Sequence, residues 1–387
     1  MVDLLSAPPA PAPAAKTMRV ARYNYPLDFG EGIGELTADL QRMLLAGRYV
    51  LTEEVSRFEA AFAEYVGVKH VRGVNSGTDA LILALMALGI GPGDEVVTHA
   101  NTFHATVAAI CLVGATPVLV DADDRTWEMD ADPLDAAVTP RTRVLMPVHL
   151  FGKPGPMEAV TAVAARHGLR VVEDAAQSHG ARVGGRRTGS LGHVSAFSFH
   201  PSKNLAAAGD GGAIATDDPE IAASVERLRS LGQSGQNHHV AIGYNSKLHA
   251  IQARILEHKL PSLDRWNEAR RQAARGYRER LADLPLRFQP EDAGEEHVYH
   301  LFQVRTDRRD ALLKHLVDSG VDATIRYPAP IHLQPAFADR GWHPGQFPVA
   351  ERLAGELLTL PIRPDLSADE QDYVAERIRA FFGAGGA

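Results

Sequence analysis

From residue 70 to residue 215 the chain repeats one pattern: a short apolar run, a turn of small residues, then a helical stretch. The runs 70–74, 95–98, 116–120, 144–149, 169–173, 195–199 and 213–215 have strand length and little polar alternation. Strands of that kind need cover on both faces, and strands separated by helices pair in parallel. The pattern therefore predicts an α/β chain with a mostly parallel seven-stranded sheet between helices. Ligand sites in such sheets open at the carboxyl ends of the strands. Ser76, Asp174 and Lys203 all fall there.

The chain has 387 residues, beyond the size at which one core keeps growing. Residues 1–17 are rich in Ala and Pro and read as a disordered tail. Residues 18–260 read as the large domain. It opens with two helices between 33 and 66, joined at Gly47, where Phe58, Phe62 and Tyr65 recur as a core face. After Pro261 the alternation stops. The arginine-rich stretch 263–281 reads as a solvated helix linking two domains. The strand-like run 299–304 and the helix 309–318 suit a smaller α+β domain over 261–387.

Several function classes are excluded. A formal net charge of -8 without a basic run argues against nucleic-acid binding. The single cysteine, Cys111, sits in an apolar run and reads as buried packing, with no disulfide framework. No apolar stretch reaches the roughly 20 residues needed to span a membrane. The tail lacks a charged start before an apolar core, so the expectation is a cytoplasmic protein without a signal peptide. The 17 histidines show no metal-ligand spacing, and His238-His239 reads as a loop. Gly30-Glu-Gly-Ile-Gly34 is not a dinucleotide fingerprint, because no strand precedes it.

Three motifs carry chemistry. Asn75-Ser-Gly-Thr-Asp79 joins a strand to a helix, either as a plain cap or as an anion site made of free N–H groups and hydroxyls. Asp174 opens Asp-Ala-Ala-Gln-Ser-His179, where small residues let a flat ring approach the backbone; alone it could equally cap a helix. Ser198-Phe-His-Pro-Ser-Lys-Asn-Leu205 precedes Gly209-Asp-Gly-Gly212, and Pro201 stops the strand there. A lysine beyond one buried strand, with an aspartate at the tip of another, is what pyridoxal phosphate chemistry requires. The amine forms a Schiff base with the cofactor aldehyde, and the carboxylate keeps the pyridine nitrogen protonated.

Taken together, these motifs resemble the DegT/DnrJ/EryC1/StrS family of pyridoxal phosphate-dependent sugar aminotransferases, over about residues 48 to 361. The resemblance implies the aspartate aminotransferase fold (fold type I). It implies Lys203 as the Schiff-base lysine, Asp174 as the partner of the pyridine nitrogen, and Gln177 beside the 3-hydroxyl. Gly77, Thr78 and Ser198 match phosphate contacts, and Phe103 matches a ring stacked on the cofactor. Asn245 matches an asparagine that reaches the phosphate of a neighbouring subunit, which implies a homodimer with shared active sites. Where the family usually has glycine after Asn-Leu, this chain has Ala206.

The resemblance also implies a cycle between pyridoxal and pyridoxamine phosphate, with L-glutamate as donor. The Gly-Asp-Gly-Gly form and Arg326-Tyr-Pro-Ala-Pro-Ile-His-Leu-Gln-Pro335 look like members acting on dTDP-linked 3-keto-6-deoxyhexoses, in amino-sugar and antibiotic biosynthesis. Arg326, Tyr327, His332 and Lys247 are candidate substrate contacts. A 4-keto nucleotide sugar or an aminocyclitol ketone is the alternative acceptor. Some relatives carry histidine at the lysine position and dehydrate sugars; lysine here favours amine transfer.

Overall fold

Seven strands of four or five residues build the main sheet: β1 (His70–Val74), β2 (Glu95–His99), β3 (Thr116–Val120), β4 (Thr142–Leu145), β5 (Arg170–Asp174), β6 (Val194–Ser198) and β7 (Gly212–Thr216). Their order is β1-β7-β6-β5-β4-β2-β3. β7 runs antiparallel to both of its neighbours, and every other pair is parallel. The expected mostly parallel sheet is present. The computed structural model describes residues 18–25, 29 and 32–383, so the tail expected at 1–17 lies outside the described residues.

The first eight helices are α1 (Ile33–Leu45), α2 (Glu53–Val66), α3 (Gly77–Ala87), α4 (His104–Leu112), α5 (Met157–His167), α6 (Pro219–Leu228), α7 (Ala250–Lys259) and α8 (Leu263–Leu281). α3 is apolar almost all round, as a helix enclosed by protein must be. Its Leu81, Leu83 and Leu85 pack on Val74, Val172, Ala196 and Ile214 of one sheet face. The other face receives Phe58 and Phe62 of α2 and Leu256 of α7, against Phe197 and Phe199. Phe62 meets Phe197 edge-on at 5.0 Å between centroids. Of the three aromatic positions read from periodicity, Phe58 and Phe62 are core, and Tyr65 is half-buried against them.

A second sheet holds β8 (Arg287–Phe288), β9 (Phe302–Arg305) and β10 (Leu357–Leu360), antiparallel in that order. Around it lie α9 (Arg309–Asp318), α10 (Pro348–Glu356) and α11 (Ala368–Gly383). Tyr277, Phe302, Val304, Leu312, Leu358 and Val374 form their common core.

Three local expectations are corrected. α8 is not a solvated linker. Leu263, Asn267, Ala274, Tyr277 and Leu281, spaced by three, four or seven, are buried along one stripe. Leu263 sits in the core under the main sheet, whereas Tyr277 and Leu281 belong to the second core, so one helix ties the two together. Its arginines face carboxylates, as with Arg271 to Glu268 and Arg280 to Asp372. His238-His239 is not a loop but pairs with residues 233–235 in a short antiparallel ladder. Cys111 is half-buried rather than buried, at the edge of the cluster holding Phe337 and Trp342. Among the described residues, no helix is long and apolar enough to cross a membrane.

Candidate active site

A cavity of about 310 Å³ opens where β1, β5 and β6 end, and it collects most of the residues singled out from sequence. Asp174 is the last residue of β5, and its carboxylate is enclosed. Burial raises this carboxyl above its ordinary value. The Thr106 hydroxyl, the Ala176 N–H and the positive charge of Lys203 oppose that rise. Thr106 Oγ1 donates to Oδ2 at 2.8 Å, and Ala176 N–H donates to Oδ1 at 3.2 Å.

Lys203 follows β6 on a loop and keeps partial exposure through the open cavity; protein crowds it on the other sides. That desolvation lowers its ammonium from 10.5 to about 8, against the pull of Asp174 and with help from Arg326. A lysine shifted this way supplies neutral amine near neutral pH. Its loop is pinned from several elements. Asn204 Nδ2 donates to Asn267 Oδ1 on α8 and to the Val298 carbonyl, both at 2.9 Å. Gln252 on α7 bonds both the N–H and the carbonyl of Ala208, at 2.8 and 3.0 Å. Lys259 donates to the Ala206 carbonyl at 3.0 Å. Ala206 is not among the positive-φ residues, so alanine in place of the family's glycine carries no strain.

Beside the lysine, the N-terminus of α3 faces the cavity with Gly77 and Thr78. Ser76 is the cap: its Oγ accepts the Asp79 N–H at 3.1 Å. The first N–H groups of a helix have no partner within it, and together with the Thr78 and Ser198 hydroxyls they suit a phosphate. A Cβ on Gly77 would lie 2.6 Å from the Ser198 Cβ, so only glycine lets helix and strand come this close. The cap reading of Asn75-Ser-Gly-Thr is thus observed, and the same turn leaves N–H groups that face the cavity.

Gln177 bridges two walls. Its Oε1 accepts the Phe151 N–H at 2.8 Å, and its Nε2 donates to the Tyr327 hydroxyl at 3.1 Å. Phe103, the residue ahead of α4, is 46% exposed, which leaves ring face available in the cavity. It tilts toward Tyr327 at 5.2 Å between centroids. Arg326 stands next to Tyr327, and its carbonyl accepts Gln303 Nε2 of β9 at 3.1 Å. The second sheet therefore supplies one wall of the site.

A buried pair under the site reinforces β5. His149 Nδ1 accepts the Gly155 N–H at 2.9 Å, which places the proton of the neutral ring on Nε2, 2.9 Å from Glu173 Oε2. Glu173 also accepts the N–H groups of Gly189, Leu191 and Gly192. Burial alone would raise its carboxyl, but His149 and these donors outweigh it and hold it below the ordinary value.

Not every expected residue arrives. His332 does not line the cavity. Its side chain is enclosed, with Nε2 3.0 Å from Glu351 Oε1 and the ring edge-on to Phe347. A short 3-10 turn at Ile331–Leu333 turns it toward α10. Asn245 is exposed and also stands outside the cavity; the half-buried Lys247 donates to Asn245 Oδ1 at 2.5 Å. His300, absent from the sequence reading, does line the cavity, as does Tyr23. Thr106 and Asn204 were also missed, since their partners lie 68, 63 and 94 positions away in sequence. Among the described residues, no group of three or more His, Cys, Asp or Glu could hold a metal ion.

The sequence matches the DegT/DnrJ/EryC1/StrS aminotransferase family over residues 32–379. The chain belongs to that family. It is an aminotransferase of the pyridoxal phosphate-dependent, sugar-modifying kind that its motifs resemble. It is 45% identical to a dTDP-3-amino-3,4,6-trideoxy-alpha-D-glucose transaminase of Streptomyces venezuelae, over 94% of this chain and 97% of the relative. It is 43% identical to a protein of Geobacillus stearothermophilus named as a pleiotropic regulatory protein, over 92% of this chain and 98% of that one. The crystal structure of S. venezuelae DesV in complex with a ketimine intermediate superposes with a TM-score of 0.92 at 44% identity, covering 94% of this chain and 99% of that chain.

Proposed function

We propose that this aminotransferase moves the amino group of L-glutamate to a dTDP-linked 3-keto-6-deoxyhexose, with pyridoxal phosphate bound at Lys203. The observation that carries the reading is the meeting of Lys203, Asp174 and the α3 N-terminus in one cavity. Those three fit the amine, ring nitrogen and phosphate ends of one cofactor, and the bound cofactor supplies an electron sink for the carbon that loses its proton. Asp174 holds the ring nitrogen protonated. The Gly77 and Thr78 N–H groups and the Ser198 hydroxyl would hold the phosphate, and Phe103 would cover the ring. With the cofactor and donor bound, the freed Lys203 amine would be the base that takes the proton from the donor α-carbon and gives it back across the same site. With the ketone as partner, the same amine runs the transfer in reverse.

The acceptor follows from the resemblance of the 326–335 segment, and the name of the S. venezuelae relative supports it. We divide the chain after residue 260, so that 18–260 carry the cofactor contacts and 261–387 bring Arg326 and Tyr327 to the substrate. A second copy of the chain completes the site in this reading. Asn245 lies outside its own cavity, and its neighbours are apolar and exposed: Val240 at 53%, Ile242 at 92% and Tyr244 at 43%. Leu45 at 84% adds to such surface, which a partner would cover.

Incubation of the purified protein with pyridoxal phosphate, L-glutamate and either 3-keto or 4-keto nucleotide sugars, followed by mass spectrometry, tests the proposal. An amine on the 3-keto compound is the expected product. Amination of the 4-keto compound alone overturns the acceptor. Loss of water without nitrogen transfer overturns the transaminase.

A further inference from the structure

We infer that His300 and Arg326 together seat the α-carboxylate of the amino donor, an inference that rests on the transaminase reading above. An amino acid carries this carboxylate on the same carbon as its amine. Whatever anchors it must therefore stand beside the nitrogen that Lys203 exchanges. A keto sugar linked through C1 carries its diphosphate two ring carbons from a 3-keto group, so that charge falls farther from the lysine. The cofactor phosphate has its own cradle at α3.

Both residues line the cavity that holds Lys203. Arg326 is close enough to act on the charge of Lys203, and it acts on His300 as well. Arginines that this chain buries have carboxylate partners, such as Arg229 with Glu59, Arg305 with Asp124 and Glu356, and Arg363 with Asp365 and Glu370, whereas Arg326 is half-buried. Arg326 forms no ion pair among the described residues, although a planar guanidinium suits two-point capture of a carboxylate. Its backbone is held in place. Gln303 bonds its carbonyl at 3.1 Å, and Thr359 Oγ1 on β10 fixes Gln303 Oε1 at 3.0 Å.

His300 supplies the second, independent observation. It is 7% exposed, and its Nδ1 has no hydrogen-bond partner in the protein. The residue lines the cavity, and a ring nitrogen with no bond inside the protein is free to serve a ligand there. Burial first, then the charges of Lys203 and Arg270, push its ionisation well below the usual histidine range. A neutral imidazole keeps one N–H to donate to a carboxylate oxygen. The seat thus combines one fixed cation with one neutral donor.

The test uses holoenzyme and α-methyl-L-glutamate, which keeps the amine and both carboxylates but has no α-hydrogen to lose. Binding is read from the absorbance change on displacement of Lys203, in parallel with calorimetric binding of dTDP and with 4-aminobutyrate, which lacks the α-carboxylate. R326Q is expected to raise the Kd for α-methyl-L-glutamate by about 10- to 100-fold, the range for a lost charged hydrogen bond. Its Kd values for dTDP and 4-aminobutyrate should stay within about twofold. R326K keeps the charge but not the fork and should fall between. H300L removes no bond inside the protein, so it should fold, and it should weaken α-methyl-L-glutamate alone by about fivefold. Unchanged donor binding in R326Q, or weaker dTDP binding in its place, overturns the inference. Equal weakening of 4-aminobutyrate overturns the assignment to the α-carboxylate. If R326Q does not fold, R326K and H300L decide by the same comparison. Should wild-type protein carry the cofactor elsewhere than Lys203, borohydride trapping and peptide mapping show it. The transaminase reading then fails and takes this inference with it.

Discussion

The Thr106 hydroxyl donates to Asp174 Oδ2 across 2.8 Å, with both groups enclosed by protein. Thr106 is itself held: its Oγ1 lies 3.0 Å from the hydroxyl of Thr102, just ahead of α4. Burial pushes the Asp174 carboxyl toward its neutral form, and Thr106 heads the groups that oppose this. The hydroxyl therefore favours the charged carboxylate that a protonated ring nitrogen needs opposite it. On the proposed reading, α4 would thus support the chemistry through Thr106.

Replacing Thr106 with valine keeps the shape and removes that donor. The carboxylate should become easier to protonate, and affinity for pyridoxal phosphate should fall about tenfold, as expected for one hydrogen bond to a charged group. Fluorescence titration of the apoprotein measures this. T106S, which restores the hydroxyl, should recover most of the loss. Equal defects in T106V and T106S would point to packing.

The lowered ammonium of Lys203 gives a pH signature. Only the neutral amine attacks the cofactor aldehyde, so the rate of cofactor capture by apoprotein should rise tenfold per pH unit below about 8 and level off above it. An ordinary lysine would keep climbing toward about 10.4. Stopped-flow absorbance from pH 6 to pH 10 separates the two, and K203A should show no capture.

Gly77 tests the cradle. An added Cβ would stand 2.6 Å from the Ser198 Cβ and 3.1 Å from its Cα, so helix and strand must move apart. G77A should destabilise the apoprotein by about 1–3 kcal/mol in urea unfolding. It should also weaken free phosphate and the whole cofactor together, because the same movement shifts the N–H groups that face them.

Glu173 shows what the sequence withheld. Its neighbour Asp174 was legible because it ends a buried strand opposite a lysine motif. Glu173 gave no such signal: its partners His149, Gly189, Leu191 and Gly192 are 24, 16, 18 and 19 positions away. The strands were readable because burial on both faces makes each an apolar run. α8 was not, since eight positions of Arg or Glu between its ends mask a buried stripe that starts at Leu263 and ends at Leu281. Histidine carries no local mark of its surroundings either, so sequence alone does not separate His332, turned toward Glu351, from His300 at the cavity. In E173Q one acceptor oxygen becomes an amide donor that faces N–H groups. Unfolding free energy should drop by about 1–3 kcal/mol, the scale for leaving buried donors without an acceptor. The loss should appear in apoprotein, before any cofactor is bound.

Complementation tests whether two chains share each site. If Asn245 serves the cavity of the neighbouring subunit, K203A and N245A dimers should each be impaired. A hybrid of the two then has one site with both lesions and one with neither. Random exchange after mild denaturation makes half of the dimers hybrid, so about a quarter of wild-type activity should return on mixing. If Asn245 acted within its own chain, each hybrid site would keep one lesion and mixing would restore nothing. I242E provides the control. If the exposed apolar surface around Ile242 is where two chains meet, a charge there should release monomers in sedimentation, and activity should fall with the dimer fraction.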